Sequence, residues 1–410
     1  MNFSKIYLQA GKEQAVRRFH PWVFSGAIAR FEGELNDGDV VEVLDKKGNY
    51  LATGHFHDGN IAVRIFSFER TGRNDQSDST TEGPVLGVSF WTKRLQAIRR
   101  VRQQVVPAQT NCYRLIHGEG DGCSGLIVDM YNGVAVFQAH SIGMHRERAV
   151  ITEALREVFG DELLAVYDKS AETLPNATHA DQYAATVQNG YLYGSADTPR
   201  PVLENGHTFL VDWITGQKTG FFLDQRDNRS LLARYAAGKN VLNAFCYSGG
   251  FSVYALSAGA RLVHSVDASQ KAIDLTNRNV AANFDGPQPH EAYADDVMAY
   301  LKKHDHEYDL MVLDPPAYAK SLSARHRAVQ GYKRLNAEGL RRLAKGGILF
   351  TFSCSQVVDR ELFYNTVVAA AIDAGRQVRV LHHLSQPADH PVDLFHPEGG
   401  YLKGLVLWVD

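Results

Sequence analysis

An α/β protein, with a doubly wound parallel sheet preceded by two smaller modules, is what three features of this 410-residue chain predict. Beyond about Pro199, apolar β-like runs at 240–246, 261–267, 308–314 and 347–353 alternate with helix-like stretches. That is the rhythm of parallel strands joined by helical crossovers. Two of the runs end in chemistry-bearing strings, Leu313-Asp314-Pro315-Pro316 and Thr351-Phe352-Ser353-Cys354-Ser355, at the carboxyl edge where open parallel sheets bind ligands. The first seventy residues differ: short apolar runs such as Val40-Val41-Glu42-Val43-Leu44 and Ile61-Ala62-Val63-Arg64-Ile65-Phe66 are separated by turns at Asp37-Gly38 and Lys47-Gly48, the pattern of a compact β-barrel.

Composition sets the bounds. With 44% hydrophobic and 22% charged residues the chain is long enough for two or three domains with real cores, and it is neither disordered nor fibrous. A formal net charge of -3 gives no global nucleic-acid signature, so any basic surface has to be local. Cys112, Cys123, Cys246 and Cys354 form no CxxC pair, which argues against a zinc site or a disulfide framework, and no metal is expected. No apolar stretch is long enough for a membrane span and the first ten residues carry no signal-peptide core, so the expected location is the cytoplasm.

In chain order, residues 1–70 are expected to form the β-rich domain and 71–84, which hold no apolar anchor, a linker. Residues 85–198 read as a central α+β domain. It has a helical pattern from Ser89, strand-like pieces at Tyr113–Ile116, Gly125–Asp129 and Val134–His140, and a helix from Glu147 to Phe159. Residues 199–410 form the sheet domain, closed by β-like pieces at Gln377–Leu384 and Leu402–Val409 that are expected as an antiparallel edge hairpin.

The segment from Val241 to Ser252 runs from strand through a glycine turn, Tyr247-Ser248-Gly249-Gly250-Phe251, into a helix. Glycine allows close backbone approach to a ligand and a helix N-terminus offers unpaired amides, but the spacing is not the pyrophosphate-cradling GxGxxG. Asp267 ends the next strand, suited to ribose hydroxyls, and Asp295-Asp296 ends the one after, suited to an adenine amine. A glycine turn, a ribose acid and an adenine-side acid on successive strands describe an S-adenosylmethionine site. Each aspartate alone would serve equally as a helix N-cap.

Cytosine carbon 5 is a poor nucleophile, and methylating it requires a thiolate to add first at carbon 6. Cys354 on the sheet rim is the expected nucleophile and Asp314 the acid that binds ring N3 and the exocyclic amine. The plainer reading of Cys354 is a buried small hydrophobe. Asp-Pro-Pro also serves enzymes that methylate exocyclic amines, with an aromatic residue directly after the second proline; here that place is Ala317, and Tyr318 comes one residue late. Upstream, Gly216 to Arg226 concentrates polar groups and two phenylalanines; Lys218 and Arg226 suit a phosphate or the methionine carboxylate, and Phe221 or Phe222 a ligand flank. Its alternative is a hairpin with core phenylalanines. From Lys320 to Lys345 there are eight Lys or Arg against one acid, Glu338, a bias that points to phosphate contact. The run Lys93, Arg94, Arg99, Arg100 and Arg102 carries the same signal more weakly.

With these strings in place the sequence resembles the RlmI family of PUA-domain-containing 23S rRNA 5-methylcytosine methyltransferases. The resemblance covers nearly the whole chain. It is densest in Lys218 to Arg226, Tyr247 to Phe251, Asp314-Pro315-Pro316 and Phe352 to Ser355, and it extends to His117-Gly118-Glu119, Asp121-Gly122, Ala388-Asp389-His390-Pro391 and Tyr401-Leu402-Lys403-Gly404.

It implies a class I (Rossmann-like) methyltransferase domain with an N-terminal PUA-like β-barrel and a central α+β domain. It also implies S-adenosylmethionine as cofactor, 23S rRNA as substrate and a homodimer. By this match Cys354 and Asp314 are catalytic. Ser248, Gly249, Gly250, Phe251, Asp267 and Asp296 match the donor-binding motifs; Phe222, Asp224, Arg226, Asn243, Tyr247 and Asp314 are expected to bind the cofactor beside them, and the basic residues Lys218, Lys320, Arg325, Lys333 and Arg334 are expected to contact RNA. The chain departs from the pattern where Pro316 replaces a second cysteine, which leaves the base for the carbon-5 proton unassigned, and where Ala317-Tyr318 replaces Lys-Phe. Two rival readings stand beside this one: an exocyclic-amine methyltransferase for guanine or adenine of RNA or DNA, and a non-catalytic RNA-binding assembly factor.

Overall fold

Strands covered on both faces need near-continuous apolar runs, and the runs of the C-terminal region become neighbours in one sheet. In the computed structural model they are β1 (Asn240–Ala244), β2 (Leu262–Asp267), β3 (His290–Ala294), β4 (Tyr308–Leu313), β5 (Leu343–Ser353), β6 (Val378–Leu384) and β7 (Lys403–Val409). Their spatial order is β3-β2-β1-β4-β5-β7-β6. The first five are parallel, and β7 runs antiparallel to both β5 and β6. The described residues are 3–70, 72–73, 85–174, 183–304, 307–319 and 321–410; Lys320 and nearly all of the linker expected at 71–84 lie outside them.

The strand order reverses between β1 and β4, and at such a switch point a crevice opens outside the carboxyl ends of the strands. The glycine turn follows β1 and Asp314 follows β4. The closing hairpin forms as expected, with one difference. Its second strand inserts beside β5, and only β6 is left at the edge. The burial patterns explain this: β7 is buried at six of its seven positions, so it profits from a neighbour on each side, whereas β6 exposes most of its side chains.

Helices α1 (Arg226–Ala236), α2 (Gly250–Ser257), α3 (Gln270–Ala281), α4 (Val297–Lys303), α5 (Arg325–Arg342) and α6 (Arg360–Ala374) cover this sheet. Several starts are set by capping side chains: Ser269 accepts from Ala272 N, Asp296 from Ala299 N and Asp359 from Leu362 N. Gly375 ends α6 in the left-handed conformation at φ 65°. Leu242, Met311, Leu313, Leu340, Leu349, Phe363 and Leu407 belong to one buried core between strands and helices. Truncating one such leucine to alanine costs about 2–5 kcal/mol.

The chain divides into two compact units. The sheet just described belongs to the unit made of Pro201–Leu210, Phe222–Pro387 and Gly400–Asp410; the other takes Met1–Arg200, Val211–Phe221 and Ala388–Gly399. That other unit carries a six-stranded sheet of, in spatial order, Trp22–Phe24, Ile61–Ser67, Tyr50–Phe56, Val40–Leu44, Ser4–Leu8 and Ile28–Glu32. Ile6, Val23, Val41, Val43, Ala52, Val63 and Ile65 fill its core.

A second, five-stranded sheet follows there: Gly190–Gly194, Ala165–Asp168, Val134–Ala139, Leu126–Tyr131 and Cys112–His117. The helices Val88–Val105 and Arg148–Phe159 bury Trp91, Leu95, Ile98, Ile151 and Leu155 in its core. The Asn132-Gly133 turn, with φ 46° and 87°, joins two of its strands as a tight hairpin. No helix among the described residues is long and apolar enough to cross a membrane.

Candidate active site

The turn between β1 and α2 leaves the ordinary backbone regions three times, at Phe245 (φ 61°), Tyr247 (φ 46°) and Gly249 (φ 71°). Its glycines are required by the protein's own packing. A Cβ on Gly249 would lie 2.6 Å from Cγ2 of Thr276, and one on Gly250 would lie 2.8 Å from Cδ of Arg229. The turn is therefore pressed onto α3 on one side and α1 on the other.

Hydrogen bonds finish the job. Tyr247 N donates to Asp267 Oδ2 at 3.1 Å, Thr276 Oγ1 to Tyr247 O at 3.1 Å and Asn279 Nδ2 to Ser248 O at 2.7 Å. Asn243 is 1% exposed and donates to Ser252 Oγ at 2.8 Å, which continues to Ser265 Oγ at 2.7 Å. Its amide holds β1 to α2 from inside. Phe251 is buried beside the ring of Phe352 at 5.9 Å, while Phe222 is half-buried with its ring edge on Tyr247 at 5.0 Å.

Asp267 closes β2 and accepts a second amide, from Ser269 N, at 2.9 Å. Asp296 caps α4 through Oδ1, as the capping alternative required, at 2.9 Å from Ala299 N. Each carboxylate retains further acceptor positions. A fixed glycine turn beside α2 and acids at the ends of β2 and β3 match a ligand with a small polar end, a ribose and an amino-substituted base.

Beneath the turn lies a buried ion pair that sequence reading missed. Arg229 donates Nε and Nη2 to the two carboxylate oxygens of Glu204 at 2.8 and 2.7 Å, and Nη2 also reaches Phe222 O at 3.0 Å. Both side chains are nearly inaccessible. Two cheap signals existed, an arginine at a helix position facing the core and a lone glutamate in the β-like run Arg200–Glu204, but their partnership is a long-range fact.

The string Gly216–Arg226 falls partly in each unit. Lys218 is exposed, with φ 50°, and belongs to the segment Val211–Phe221. Arg226 is 0% exposed, and its Nε lies 3.3 Å from Asp227 Oδ1. Asp224 accepts from the hydroxyl of Tyr401 at 2.7 Å.

The rim of β4 and β5 carries the remaining groups. The two strands pair in parallel register with Leu313 opposite Thr351, so Asp314 and Cys354 leave the sheet at the same edge. Gln225 Nε2 donates to Asp314 Oδ2 at 3.0 Å, and Gln225 Oε1 accepts from Asn228 Nδ2 at 2.7 Å. That amide orients the carboxylate.

Of the four cysteines, Cys112, Cys123 and Cys246 are buried and Cys354 is partly accessible. Burial pushes the thiols of Cys123 and Cys246 up to about 12, leaving both inert. The backbone around Cys354 is clamped on several sides: Tyr332 OH and Ser355 Oγ are 3.0 Å apart, and Lys403 Nζ donates to Ser355 O at 2.7 Å.

Lys403 was missed as a site residue. It lies opposite Ser353 in the β5–β7 register and is 4% exposed. Burial lowers its ammonium to about 8, against an opposing pull from Cys354. A lysine inside the otherwise apolar strand Lys403–Val409 was the available signal.

The basic residues of α5 divide into ion-paired and exposed ones. Lys333 is 3.7 Å from Asp373, Arg341 is 3.4 Å from Glu338 and 3.0 Å from Asp373, and Arg342 is 3.3 Å from Glu338. Arg325, Arg327 and Arg334 are exposed.

A model of the PUA-like domain matches residues 6–68, and one of the S-adenosylmethionine-dependent methyltransferases matches residues 114–400. Ribosomal RNA large subunit methyltransferase I of Aeromonas hydrophila subsp. hydrophila is 38% identical, covering 98% of this chain and 99% of that protein. Its counterpart from Alteromonas mediterranea is 37% identical over 98% of each.

Among solved structures, a protein from Streptococcus mutans described as a candidate SAM-dependent methyltransferase superposes with a TM-score of 0.79. It is 24% identical and covers 98% of this chain and 99% of its own. A methyltransferase candidate solved with SAH gives 0.80 at the same identity and coverage. These share the fold. The family matches show that the chain belongs to the S-adenosylmethionine-dependent methyltransferases, in the ribosomal RNA large subunit methyltransferase I family.

Proposed function

We propose that this protein methylates carbon 5 of a cytidine in large-subunit ribosomal RNA through a covalent adduct with Cys354. The observation that carries the reading is the character of that cysteine. It is the one accessible thiol of four, it follows β5 at the rim it shares with Asp314, and a buried ammonium stands beside it. The substrate class follows the naming of the relatives.

S-adenosylmethionine supplies an electrophilic methyl group on a sulfonium. The proposed donor contacts are the turn Tyr247–Phe251, Asp267 for the ribose and Asp296 for the adenine amine, with Phe222, Asp224, Arg226 and Asn243 shaping and supporting that side. Lys403 favours the thiolate of Cys354 by charge. The thiolate forms a bond to carbon 6 while the ring's 5,6 double-bond electrons shift to make carbon 5 nucleophilic. Asp314, held by Gln225, binds N3 and the exocyclic amine and takes up the change in ring charge. After methyl transfer the carbon-5 proton leaves to a base, the carbon–sulfur bond breaks and the ring is restored. The target base is reached by flipping it out of its stack.

Lys218, Lys320, Arg325, Lys333 and Arg334 are proposed RNA contacts, Lys333 being also 3.7 Å from Asp373. Cytoplasmic location, a homodimer and the division into 1–70, 85–198 and 199–410 domains around a 71–84 linker belong to the same reading.

The test is transfer of labelled methyl to unmodified large-subunit rRNA followed by nucleoside analysis. Label in 5-methylcytidine supports the reading, and Cys354→Ala should abolish turnover while donor affinity stays within about twofold. Label in a methylated purine, or an active Cys354→Ala protein, would select the exocyclic-amine alternative. Absence of donor binding would select the assembly-factor alternative.

A further inference from the structure

Helices α4 and α5 face each other across a cavity of about 660 Å³, which of the RNA contacts proposed above only Arg334 lines. Met298 and Lys302 reach it from α4, at i and i+4, and Arg327, Gly331 and Arg334 from α5, at i, i+4 and i+7. Each set therefore forms one helix face. Tyr318 makes the wall between them. It stands four residues after Asp314 on the same loop, so the cavity adjoins the turn that carries the proposed target-base acid.

The aromatic wall is built to stay in place. One side of the Tyr318 ring meets Tyr332 at 4.7 Å with the planes at 44°. The helix can approach the ring because residue 331 is glycine: a Cβ there would lie 3.0 and 3.2 Å from the ring carbons Cδ2 and Cε2.

The charge is one-sided. Lys302, Arg327 and Arg334 are exposed, and none of them forms an ion pair among the described residues. Among the described residues the lining contains no carboxylate. Asp296 is the acid that acts on Tyr318, and one of its oxygens is held by Ala299 N. Elsewhere on α5, Lys333, Arg341 and Arg342 are matched by Asp373 and Glu338. Among the described residues the three cations around the cavity, Lys302, Arg327 and Arg334, have no carboxylate partner, while three others on α5 do. An aromatic ring, a thioether and three unmatched cations suit a flat base together with its phosphodiester, and the volume lies within the ordinary range of small-ligand sites.

We infer that this cavity holds a nucleotide of the substrate RNA strand next to the target, its base against Tyr318 and its phosphates between Arg327, Arg334 and Lys302. The inference rests on the RNA-methylating reading and names where the flanking strand is held.

The test uses the full-length protein with unmodified large-subunit rRNA transcript as probe, across a salt series. Arg327→Ala with Arg334→Ala should weaken RNA binding at least tenfold and flatten the slope of log affinity against log salt by roughly 1.4, about 0.7 per single-strand phosphate contact. Tyr318→Leu should weaken binding several-fold without altering that slope. S-adenosylmethionine affinity and the thermal midpoint should stay at wild-type values. The control, Arg341→Ala with Lys345→Ala, removes the same charge and should change binding less than twofold.

Equal losses in both double variants would reduce the effect to general electrostatics, and unchanged RNA binding would empty the cavity of this role. Loss of donor affinity would assign the cavity to the donor. Each overturns the inference while the wild type still methylates RNA. A wild type that neither binds nor methylates the transcript would instead overturn the functional reading itself.

Discussion

Two helices of this protein look alike in sequence and are used in opposite ways. The helix Val88–Val105 and α5 both carry dense runs of Lys and Arg. In the first, Arg94 donates to the backbone oxygens of Phe66 and Gly122, and Arg99 binds both oxygens of Glu162 at 2.6 and 2.8 Å. Arg102 is 2% exposed, pairs with Asp121 and donates to Arg114 O at 2.7 Å. Those cations hold the fold, and the phosphate-contact signal read from residues 93–102 is corrected for Arg94, Arg99 and Arg102. In α5 some cations are matched by Asp373 and Glu338, and others, Arg325, Arg327 and Arg334, by no carboxylate among the described residues. A count of charge cannot tell these cases apart, because apart from Glu338 the acids that decide them, Asp121, Glu162 and Asp373, are distant in sequence.

The largest effect should come from breaking the buried pair of the first helix. Arg102→Met leaves the Asp121 carboxylate buried without its cation, and urea unfolding should show a loss of about 3–5 kcal/mol. Arg327→Ala, at an unmatched cation of α5, should change stability by less than about 0.5 kcal/mol. Similar losses at both positions would dissolve the distinction between the helices.

Lys403 sharpens the same distinction for buried cations. Arg102 and Arg229 are paired with carboxylates, whereas Lys403 donates to the carbonyl of Ser355 beside a thiol. Removing a cation from beside a thiol raises the thiol's pKa, so in Lys403→Met the alkylation of Cys354 by iodoacetamide should require a higher pH than in the wild type. An unchanged profile would separate the two groups.

The sign of the stability effect also follows. The folded ammonium titrates near 8, below its ordinary 10.5. Between those values the unfolded chain binds more protons, and this group makes the folded state gain stability as pH rises. The wild type should gain on Lys403→Met across that window. A difference that stays flat with pH would mean the lysine titrates normally.

What the sequence made legible was largely local. Apolar runs and their bounding turns located strands β1, β2, β4 and β5 to within a few residues, and the glycine turn and Asp-Pro-Pro could be placed on the carboxyl edge because strand ends in a parallel sheet share a side. The edge hairpin was legible as a hairpin, but its insertion beside β5 depended on which strand could be buried on both sides. Side-chain partnerships were the least legible. Gln225 stood inside a string already singled out, yet its bond to Asp314 joins residues 89 positions apart. The glycines at 249 and 250 were noticed for ligand approach, and their contacts with Thr276 and Arg229 add a packing reason that only the folded chain supplies.

The account turns on a covalent bond between Cys354 and carbon 6 of the target cytidine. Large-subunit rRNA transcript carrying 5-fluorocytidine cannot release a proton from carbon 5, so the adduct should accumulate once methyl transfer has occurred. The account predicts a denaturation-resistant protein–RNA complex that needs S-adenosylmethionine, maps to Cys354 by mass spectrometry and is absent from Cys354→Ala. No complex from an enzyme that is active on unmodified transcript, or one that survives in Cys354→Ala, would contradict it.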